Sequence, residues 1–489
     1  MLFNSIEFIF IFLPVSFFIY FFLNKKKLTL ASKAWLIIAS LFFYGYWNIV
    51  YLPLILSSVF FNFFIAKLMG NNPSHLNLSK KSILQIGLIF NVALLAYFKY
   101  ADFFISNTNI VFGSELRMLN LALPLAISFF TLQQIAFLVD TYEGLAKEKK
   151  FMDYAVFVTF FPQLIAGPIV HHKEMMPQFK NIKNKVLNIK NIVLGIFIFS
   201  IGLFKKVVIA DTFSEWATAG FDSASSLNFI ESWITSLSYT FQLYFDFSGY
   251  TDMAIGAALI FNIRLPINFN SPLKSTGIIE FWQRWHITLS NFITSYIYTP
   301  IVRSFKVLTF NKAMIGTFIT FLIAGLWHGA SWMFVMFGAL HGLALVVNNY
   351  WNTYRFRLNK VLAWLITFNF VNIAFVFFRA KEWEDAVKVL SGMFNITEII
   401  LPNWLESKLY FLKGYGVSFG EWAPVTGAGS FTIIWILFGF FLVLMFKNSI
   451  EHLNNLNIRL KYILTVFCLS FSLYYILSGA YSEFIYFAF

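Results

Sequence analysis

The chain is organised around residues 280–342. They read EFWQRWHITLSNFITSYIYTP (280–300), then a basic break, then GTFITFLIAGLWHGASWMFVMFGALHG (316–342). This stretch holds three of the chain's seven histidines, and two of them, His286 and His328, follow a tryptophan inside apolar segments. Because a bilayer core makes ionisable side chains costly, such residues predict a functional site within a membrane-embedded fold.

The composition of the whole chain predicts the same class of protein. Of 489 residues, 59% are hydrophobic and 12% are charged, whereas soluble domains carry about 25% charged residues. The apolar runs are continuous rather than alternating, which favours helices over a β-barrel, and lipid requires backbone groups to pair internally. We therefore predict an all-α integral membrane protein with one domain over 1–489.

Twelve apolar runs approach the length of about 20 residues that crosses the hydrocarbon core. They predict about 11–12 transmembrane helices. The run Ile6–Leu23 lacks a basic start and a cleavage site, so it is interpreted as a retained first span. Two further apolar segments, 154–170 and 278–302, lie between basic loops and are predicted to be re-entrant or interfacial. The predicted spans are 6–23, 31–47, 50–68, 82–99, 118–139, 191–210, 229–262 (long and broken), 313–329, 331–349, 361–378, 430–446 and 461–479.

Loop charges predict the orientation. The formal net charge is +13, and its spread over short loops indicates the positive-inside bias rather than a nucleic-acid partner. The basic loops are predicted to be cytoplasmic. The loops around Asp211, Glu215 and Asp222, the 379–428 segment and both termini are predicted to lie outside. The single cysteine, Cys468, excludes an internal disulfide.

The segment GLWHGASW (325–332) contains the first candidate catalytic residue, His328. Gly325 and Gly329 allow a close approach of another backbone and a break in the helix. A neutral imidazole is the usual general base near pH 7. The alternative is a structural histidine hydrogen-bonded between helices.

The segment FWQRWHITLSNF (281–292) contains the second candidate, His286. Asn291 lies about one turn beyond it. Arg284 stays charged, so it requires a partner, a phosphate or a water-filled cavity. The alternative is an interfacial segment whose arginine and tryptophans reach the lipid headgroups.

Two carboxylates, Asp246 and Asp252, lie in the apolar stretch YFDFSGYTDMAIG (244–256). Their spacing puts them on different helix faces, so we do not predict paired acid–base catalysis. A helix break at Ser248–Gly249 that lines a polar cavity is one hypothesis, with the carboxylates pairing with Arg284 or orienting a histidine. Polar contacts that hold helices together are the other.

Two sequence features carry weaker signals. Pro162, Gly167 and Pro168 favour a re-entrant turn before His171 and His172, and no metal site is predicted there because no cysteine or acidic cluster completes one. At the end of the chain, SEFIYFAF includes Tyr486. Composition alone places that tyrosine in an interfacial aromatic belt.

Four motifs together resemble the membrane-bound O-acyltransferase family, in the bacterial branch that contains AlgI, PatA and DltB. The resemblance covers about 150–345 and follows the family's order of motifs. The motifs are FFPQLIAGPIV (160–170), YFDFSGYTDMAIG (244–256), NFNSPLKSTGIIEFWQRWHITLS (268–290) and GLWHGASW (325–332).

The resemblance implies a curved multi-helix bundle with a central tunnel. It makes His328 the catalytic histidine and His286 its helper. The predicted lining of the substrate path comprises Trp327, Arg284, Trp285, Asn291, Asp246 and Asp252. The phrase DFSGYTDMAIG is more similar to the acetyl-handling AlgI and PatA group than to DltB. Where AlgI-like members continue into a Gly-Gly-Asn-Arg-type loop, this chain has TPIVRSFK (299–306), which disfavours alginate in particular.

The tail FIYFAF (484–489) resembles a hexapeptide of these export systems whose tyrosine is thought to carry the acyl group. The resemblance thus implies that cytoplasmic acetyl-CoA acetylates Tyr486, with no bound cofactor. A serine-esterase-like (SGNH-type) partner outside the inner membrane then passes the acetyl group to a surface polysaccharide. Peptidoglycan is the first expectation and alginate the second.

Three alternatives remain open from the sequence. One is an acyltransferase that uses another acyl group, such as D-alanine, or modifies a lipid or a protein. Another is a transporter whose histidines relay protons. The last is a membrane scaffold of the export complex that performs no chemistry.

Overall fold

The structure is a computed structural model that describes residues 1–70, 78–146, 148, 150–356, 358–397, 399–479, 482, 484 and 485, apart from the side chain of residue 454. Eight of its helices are long and apolar enough to cross a membrane, and Thr29–Gly45 and Ser430–Met445 are shorter apolar helices. Helices also occupy the two remaining predicted spans, at Ile127–Tyr142 and Phe229–Ile260. These elements confirm the all-α membrane fold.

The helices follow one another along the chain with few strands between them. The long helices are Phe8–Lys25, Thr29–Gly45, Ile49–Gly70, Lys80–Phe112, Ile127–Tyr142, Ile189–Ser223, Phe229–Ile260, Phe310–His328, Trp332–Thr353, Lys360–Arg379, Ser430–Met445 and Ile458–Leu477. The shorter helices are Phe151–Thr159, Phe161–Leu164, His172–Lys180, Ile278–Arg284, Ile287–Ile293, Thr299–Arg303, Trp383–Phe394, Glu406–Leu409 and Ser449–Asn455. The strands Ile400–Pro402 and Ser418–Gly420 pair in parallel within the predicted outer segment.

Phe229–Ile260, the central helix, is unbroken. The predicted break at Ser248–Gly249 is therefore wrong. Gly249 instead permits close helix packing, because a Cβ atom there would lie 2.7 Å from the carbonyl oxygen of Gly202 on the neighbouring helix. A Cβ atom at Gly256 would likewise lie 2.6 Å from the carbonyl oxygen of Gly195. Two glycine pairs thus hold the central helix against the helix Ile189–Ser223.

The helix Ile189–Ser223, called here the lysine helix, extends well beyond the predicted span 191–210. It continues through a π-helical turn at Lys205–Ala210. Asp211 begins the next helical turn and is buried, so its predicted location in a loop is wrong. An ion pair of 2.6 Å with Lys206 compensates the buried charge, which allows the helix to continue.

The predicted span 118–139 also has a wrong boundary. The preceding helix runs from Lys80 to Phe112 and ends at Gly113, which has the left-handed φ of 61° typical of helix C-termini. The next helix begins only at Ile127. Pro124 disfavours helical backbone just before it, and the chain between the two helices is largely without regular structure.

The segments predicted as re-entrant or interfacial are short, broken helices. The helix that begins at Phe151 ends at Thr159, and Phe161–Leu164 adds one turn before a buried irregular stretch. The second segment is divided at Trp285 and His286 into the helix Ile278–Arg284 and a helix that begins at Ile287 and continues through a π-helical turn, Thr294–Tyr298, to Arg303. Irregular backbone of this kind is tolerated at membrane depth only where protein or a cavity surrounds it.

Candidate active site

His328 is the last residue of the helix Phe310–His328. Gly329 follows in extended conformation, and a Cβ atom there would lie 2.0 Å from the ring of Phe334. The next helix begins at Trp332, so the two form an antiparallel hairpin, here called the histidine hairpin. At Gly325, a Cβ atom would lie 2.3 Å from the carbonyl oxygen of Phe334. The glycines of the motif therefore serve both the predicted helix end and the predicted close approach.

Lys99 and Tyr100 cap the C-terminal end of the helix that ends at His328. The Lys99 ammonium donates hydrogen bonds to the carbonyl oxygens of Trp327 (2.7 Å) and His328 (2.9 Å). The Tyr100 hydroxyl donates to the carbonyl oxygen of Leu326 at 2.6 Å. The last carbonyls of a helix have no partner within the helix and carry its negative dipole end. A cation at this point stabilises the backbone that presents His328.

We expect Lys99→Met to destabilise the protein by about 2 to 3 kcal/mol, because charge-assisted hydrogen bonds to buried carbonyls are lost. Tyr100→Phe removes one neutral hydrogen bond from the same helix end and should cost about 1 kcal/mol. Thermal unfolding in detergent measures both. If the melting temperature of the Lys99→Met protein equals or exceeds that of the Tyr100→Phe protein, the capping role is contradicted.

His286 lies between the helix that ends at Arg284 and the helix that begins at Ile287, and it is fully buried. Its backbone is left-handed, with φ 44° and ψ 52°, which is uncommon outside glycine and costs about 1–3 kcal/mol. Its Nδ1 lies 3.1 Å from Oδ1 of Asn268, and the same oxygen accepts hydrogen bonds from the backbone and hydroxyl of Thr288. Asn268 thus fixes the orientation of the imidazole ring.

Trp327 lies near both histidines. Its ring centre is 5.0 Å from that of His328 and 6.3 Å from that of His286. Among the described residues, the buried Trp327 Nε1 and His286 Nε2 have no hydrogen-bond partner. Because buried polar atoms are nearly always paired, these two atoms mark a place where a substrate can supply the partner. The structure thus brings together three of the predicted residues.

A third buried histidine, His341, belongs to the same neighbourhood and was missed by the sequence analysis. Its Nδ1 accepts a hydrogen bond of 3.1 Å from the indole of Trp282, and its ring centre lies 4.5 Å from that of Phe337. The ring centre of Phe337 lies in turn 5.9 Å from that of His328. The sequence signal was available, since His341 also lies in an apolar helix.

The predicted partners of the two carboxylates were wrong. Asp246 pairs with Lys206 at 2.8 Å and Asp252 with Lys205 at 2.7 Å. Arg284 instead pairs with Glu280 at 2.9 Å, and both side chains are about one-third exposed (34% and 35%). Polar contacts between the central helix and the lysine helix therefore account for the aspartates, as the second hypothesis stated.

The other predicted lining residues lie apart from Trp327. Trp285 is buried and packs against Phe281, Phe269 and Phe375, with ring centres 5.0 to 5.5 Å away. Asn291 is exposed and lines a separate cavity of about 340 Å³. The structure therefore does not bring Trp285, Asn291 or Arg284 into contact with His328.

Small cavities adjoin the histidine hairpin. One of about 50 Å³ is lined by Lys99, Trp327 and His328 together with Trp47 and residues 123–129. Another of about 240 Å³ reaches Lys99 and Gly329. In the predicted orientation both lie toward the outside. The continuous central tunnel stays a prediction.

The described part of the C-terminal tail lies in the bundle, beside the site. Phe484 is buried and stacks on Tyr250, with ring centres 4.3 Å apart. It also lies 5.9 Å from Phe247, whose ring centre is 4.8 Å from that of His286. One aromatic ring therefore separates the tail from a candidate catalytic histidine. Tyr486 lies outside the described residues.

Comparison with known proteins places the chain in a class. The model of the membrane-bound O-acyltransferase family matches residues 141–380. A peptidoglycan O-acetyltransferase of Helicobacter pylori is 51% identical, over 84% of this chain and 83% of the relative. The probable alginate O-acetylase AlgI of Pseudomonas aeruginosa is 35% identical, over 81% and 75% of the two chains. A teichoic acid D-alanyltransferase of Bacillus subtilis is 29% identical, over 54% and 71%.

The fold and these relatives together define a multi-pass membrane acyltransferase. The chain belongs to the membrane-bound O-acyltransferase family, in the branch that its sequence motifs resemble.

Proposed function

We propose that the protein moves acetyl groups from cytoplasmic acetyl-CoA across the inner membrane for the O-acetylation of peptidoglycan. The observation that carries the proposal is the position of the tail, which reaches the histidine site through Phe484 and Phe247. The similarity to a peptidoglycan O-acetyltransferase supports the choice of polymer. The AlgI relatives and the TPIVRSFK departure leave alginate as the second choice.

In the first step, Tyr486 attacks the thioester of acetyl-CoA. His328 accepts the phenolic proton as the tyrosine oxygen bonds to the carbonyl carbon. The carbon–sulfur bond breaks, and the departing CoA sulfur takes the proton from His328. His286, held by Asn268, orients the thioester or stabilises the oxyanion. A phenol has a pKa near 10, so the resulting aryl acetate transfers its acetyl group more readily than an alkyl ester.

In the second step, the acetyl group leaves Tyr486 on the outer side. A serine hydroxyl of an SGNH-type partner attacks the aryl ester, and the phenol is regenerated. The partner then passes the acetyl group to a sugar hydroxyl.

The buried Trp327 Nε1 and His286 Nε2, without partners among the described residues, support a substrate position between the histidines.

The proposal is tested in native cells in which the gene is deleted and replaced by plasmid copies. Mild base releases ester-linked acetate from isolated peptidoglycan, and alginate is assayed in parallel. We expect the reference copy to restore acetate on peptidoglycan, and the His328→Ala, His286→Ala double variant to restore none. Normal acetylation by the double variant would favour a scaffold. Ester-linked D-alanine, or acyl groups on lipid, would favour another acyl transfer.

A further inference from the structure

Lys206, Asp211 and Asp246 form an ion cluster within the helix bundle. The Lys206 ammonium lies 2.6 Å from Oδ1 of Asp211 and 2.8 Å from Oδ1 of Asp246. All three residues are buried, with exposed fractions of 2%, 8% and 1%. Asp246 belongs to the central helix, and the other two belong to the lysine helix.

The cluster binds the C-terminal tail as well as itself. The Ser482 hydroxyl accepts a hydrogen bond of 2.9 Å from Lys206 and donates one of 2.7 Å to Asp211 Oδ1. The backbone N–H of Ser482 donates to Asp211 Oδ2 at 3.2 Å. The backbone N–H of Ile485 donates to Asp246 Oδ2 at 3.0 Å. Three carboxylate oxygens, both of Asp211 and Oδ2 of Asp246, thus accept hydrogen bonds from the tail.

The charge balance of the cluster explains why it holds a peptide. Among the described residues, two carboxylates face one ammonium, which is a formal excess of one negative charge in a low-dielectric interior. Buried charges are costly unless hydrogen bonds satisfy their remaining lone pairs. Backbone N–H groups and a hydroxyl satisfy them without adding a charge. A peptide segment with a serine therefore complements the cluster.

A comparison within the same two helices shows that the arrangement is specific to the tail. Asp252 and Lys205 form a similar ion pair, in which Lys205 also contacts Ser449 at 3.2 Å. No described residue of the tail contacts that pair. The π-helical turn at Lys205–Ala210 carries both lysines, and such turns frequently occur at functional sites.

We infer that the Lys206–Asp211–Asp246 cluster is a docking site for the chain's own C-terminal segment, and that these are positioning residues for acyl transfer. The purpose of the docking site, to bring Tyr486 to His328, rests on the proposed function. Phe484 completes the dock by stacking on Tyr250. The cluster binds the backbone N–H groups of Ser482 and Ile485, on either side of Phe484.

The test measures access to the tail in the full-length protein. Cys468→Ser with Ile485→Cys leaves one thiol, on a partly buried residue whose backbone N–H donates to Asp246. We expect Asp246→Asn to raise the rate of labelling by a water-soluble maleimide at least about tenfold, since a loss of 1.4 kcal/mol in docking is a tenfold change in population. Asp252→Asn is the matched control and should leave the rate unchanged.

A second variant protects the test against misfolding. Ser482→Ala lies on the tail, so it cannot unfold the helix bundle by breaking the Lys206–Asp246 pair, and it should also raise the labelling rate. Equal rates in the Asp246→Asn, Ser482→Ala and Asp252→Asn proteins would overturn the docking site.

Acetylation, measured on the same proteins, separates the inference from the proposed function. Faster labelling together with a lower kcat and an unchanged KM for acetyl-CoA supports both. Faster labelling with unchanged acetylation supports the dock and contradicts Tyr486 as the carrier. Unchanged labelling with reduced acetylation contradicts the dock and leaves the carrier to be explained by another contact.

Discussion

His328→Ala is expected to lower acetyl transfer at least about 100-fold, because a positioned general base contributes about 10²–10⁴ to a rate. The residue ends a helix whose last carbonyls are held by Lys99 and Tyr100, so its position is well defined. Release of CoA from acetyl-CoA by the purified protein measures the effect. His328→Gln, which keeps much of the side-chain volume and a hydrogen-bonding group, should be similarly inactive.

The matched control for this prediction is His452→Gln. His452 lies on the short helix Ser449–Asn455, outside the histidine site, and should retain full activity. Thermal unfolding shows whether each variant folds. A folded His328→Ala protein with more than about one-tenth of the reference activity would contradict general-base catalysis by this residue.

Tyr486→Phe is expected to reduce polysaccharide acetylation to about 1% of the reference or less. The substitution removes the hydroxyl proposed as the nucleophile, so the covalent acetyl-tyrosine carrier cannot form. Only one oxygen atom is removed, so docking of Ser482 and Ile485 to the ion cluster should persist. Ester-linked acetate on isolated peptidoglycan measures the result. Acetylation should be lost in cells while binding of acetyl-CoA is kept.

Tyr474→Phe is the control for removal of a tyrosine hydroxyl. Tyr474 lies on the last long helix with its side chain 69% exposed, and the substitution should leave acetylation intact. Full acetylation in the Tyr486→Phe strain, together with its loss in His328→Ala, would instead favour direct transfer from acetyl-CoA to the acceptor.

Much of the fold followed from the sequence because lipid imposes a simple rule. A helix that crosses hydrocarbon must be long and apolar, and the structure has helices at all of the predicted spans. The errors lie where polar residues are compensated inside the bundle. Asp211 was assigned to a loop because its ion pair with Lys206 can be identified only from the three-dimensional structure.

Part of the candidate site was also predicted from the constraints that lipid imposes on the sequence. His328 and His286 were identified because histidines in apolar segments are costly, and the structure places Trp327 near both. Lys99 and Lys206 were missed because both fell near the predicted ends of spans, where lysines normally reach the headgroups. In the structure their helices continue beyond them, to Phe112 and Ser223.

Pairing between helices was the least predictable feature. Hydrophobic periodicity gives the buried face of a helix but not its neighbour, and therefore one hypothesis paired Asp246 and Asp252 with Arg284, whereas both pair with lysines. Likewise, neither the left-handed backbone of His286 nor its contact with Asn268, 18 residues earlier in the chain, could be predicted from the local sequence. Such backbone strain is typical of functional sites.

The central claim is that His328 loads an acetyl group onto Tyr486. Its most direct test incubates the purified protein with acetyl-CoA that carries an isotopically labelled acetyl group, followed by mass spectrometry of the C-terminal peptide. The account predicts labelled acetyl on Tyr486, CoA released in equal amount, and neither product in the His328→Ala protein. Release of CoA with no acetyl group on Tyr486, or an acetyl group on a different residue, would contradict it.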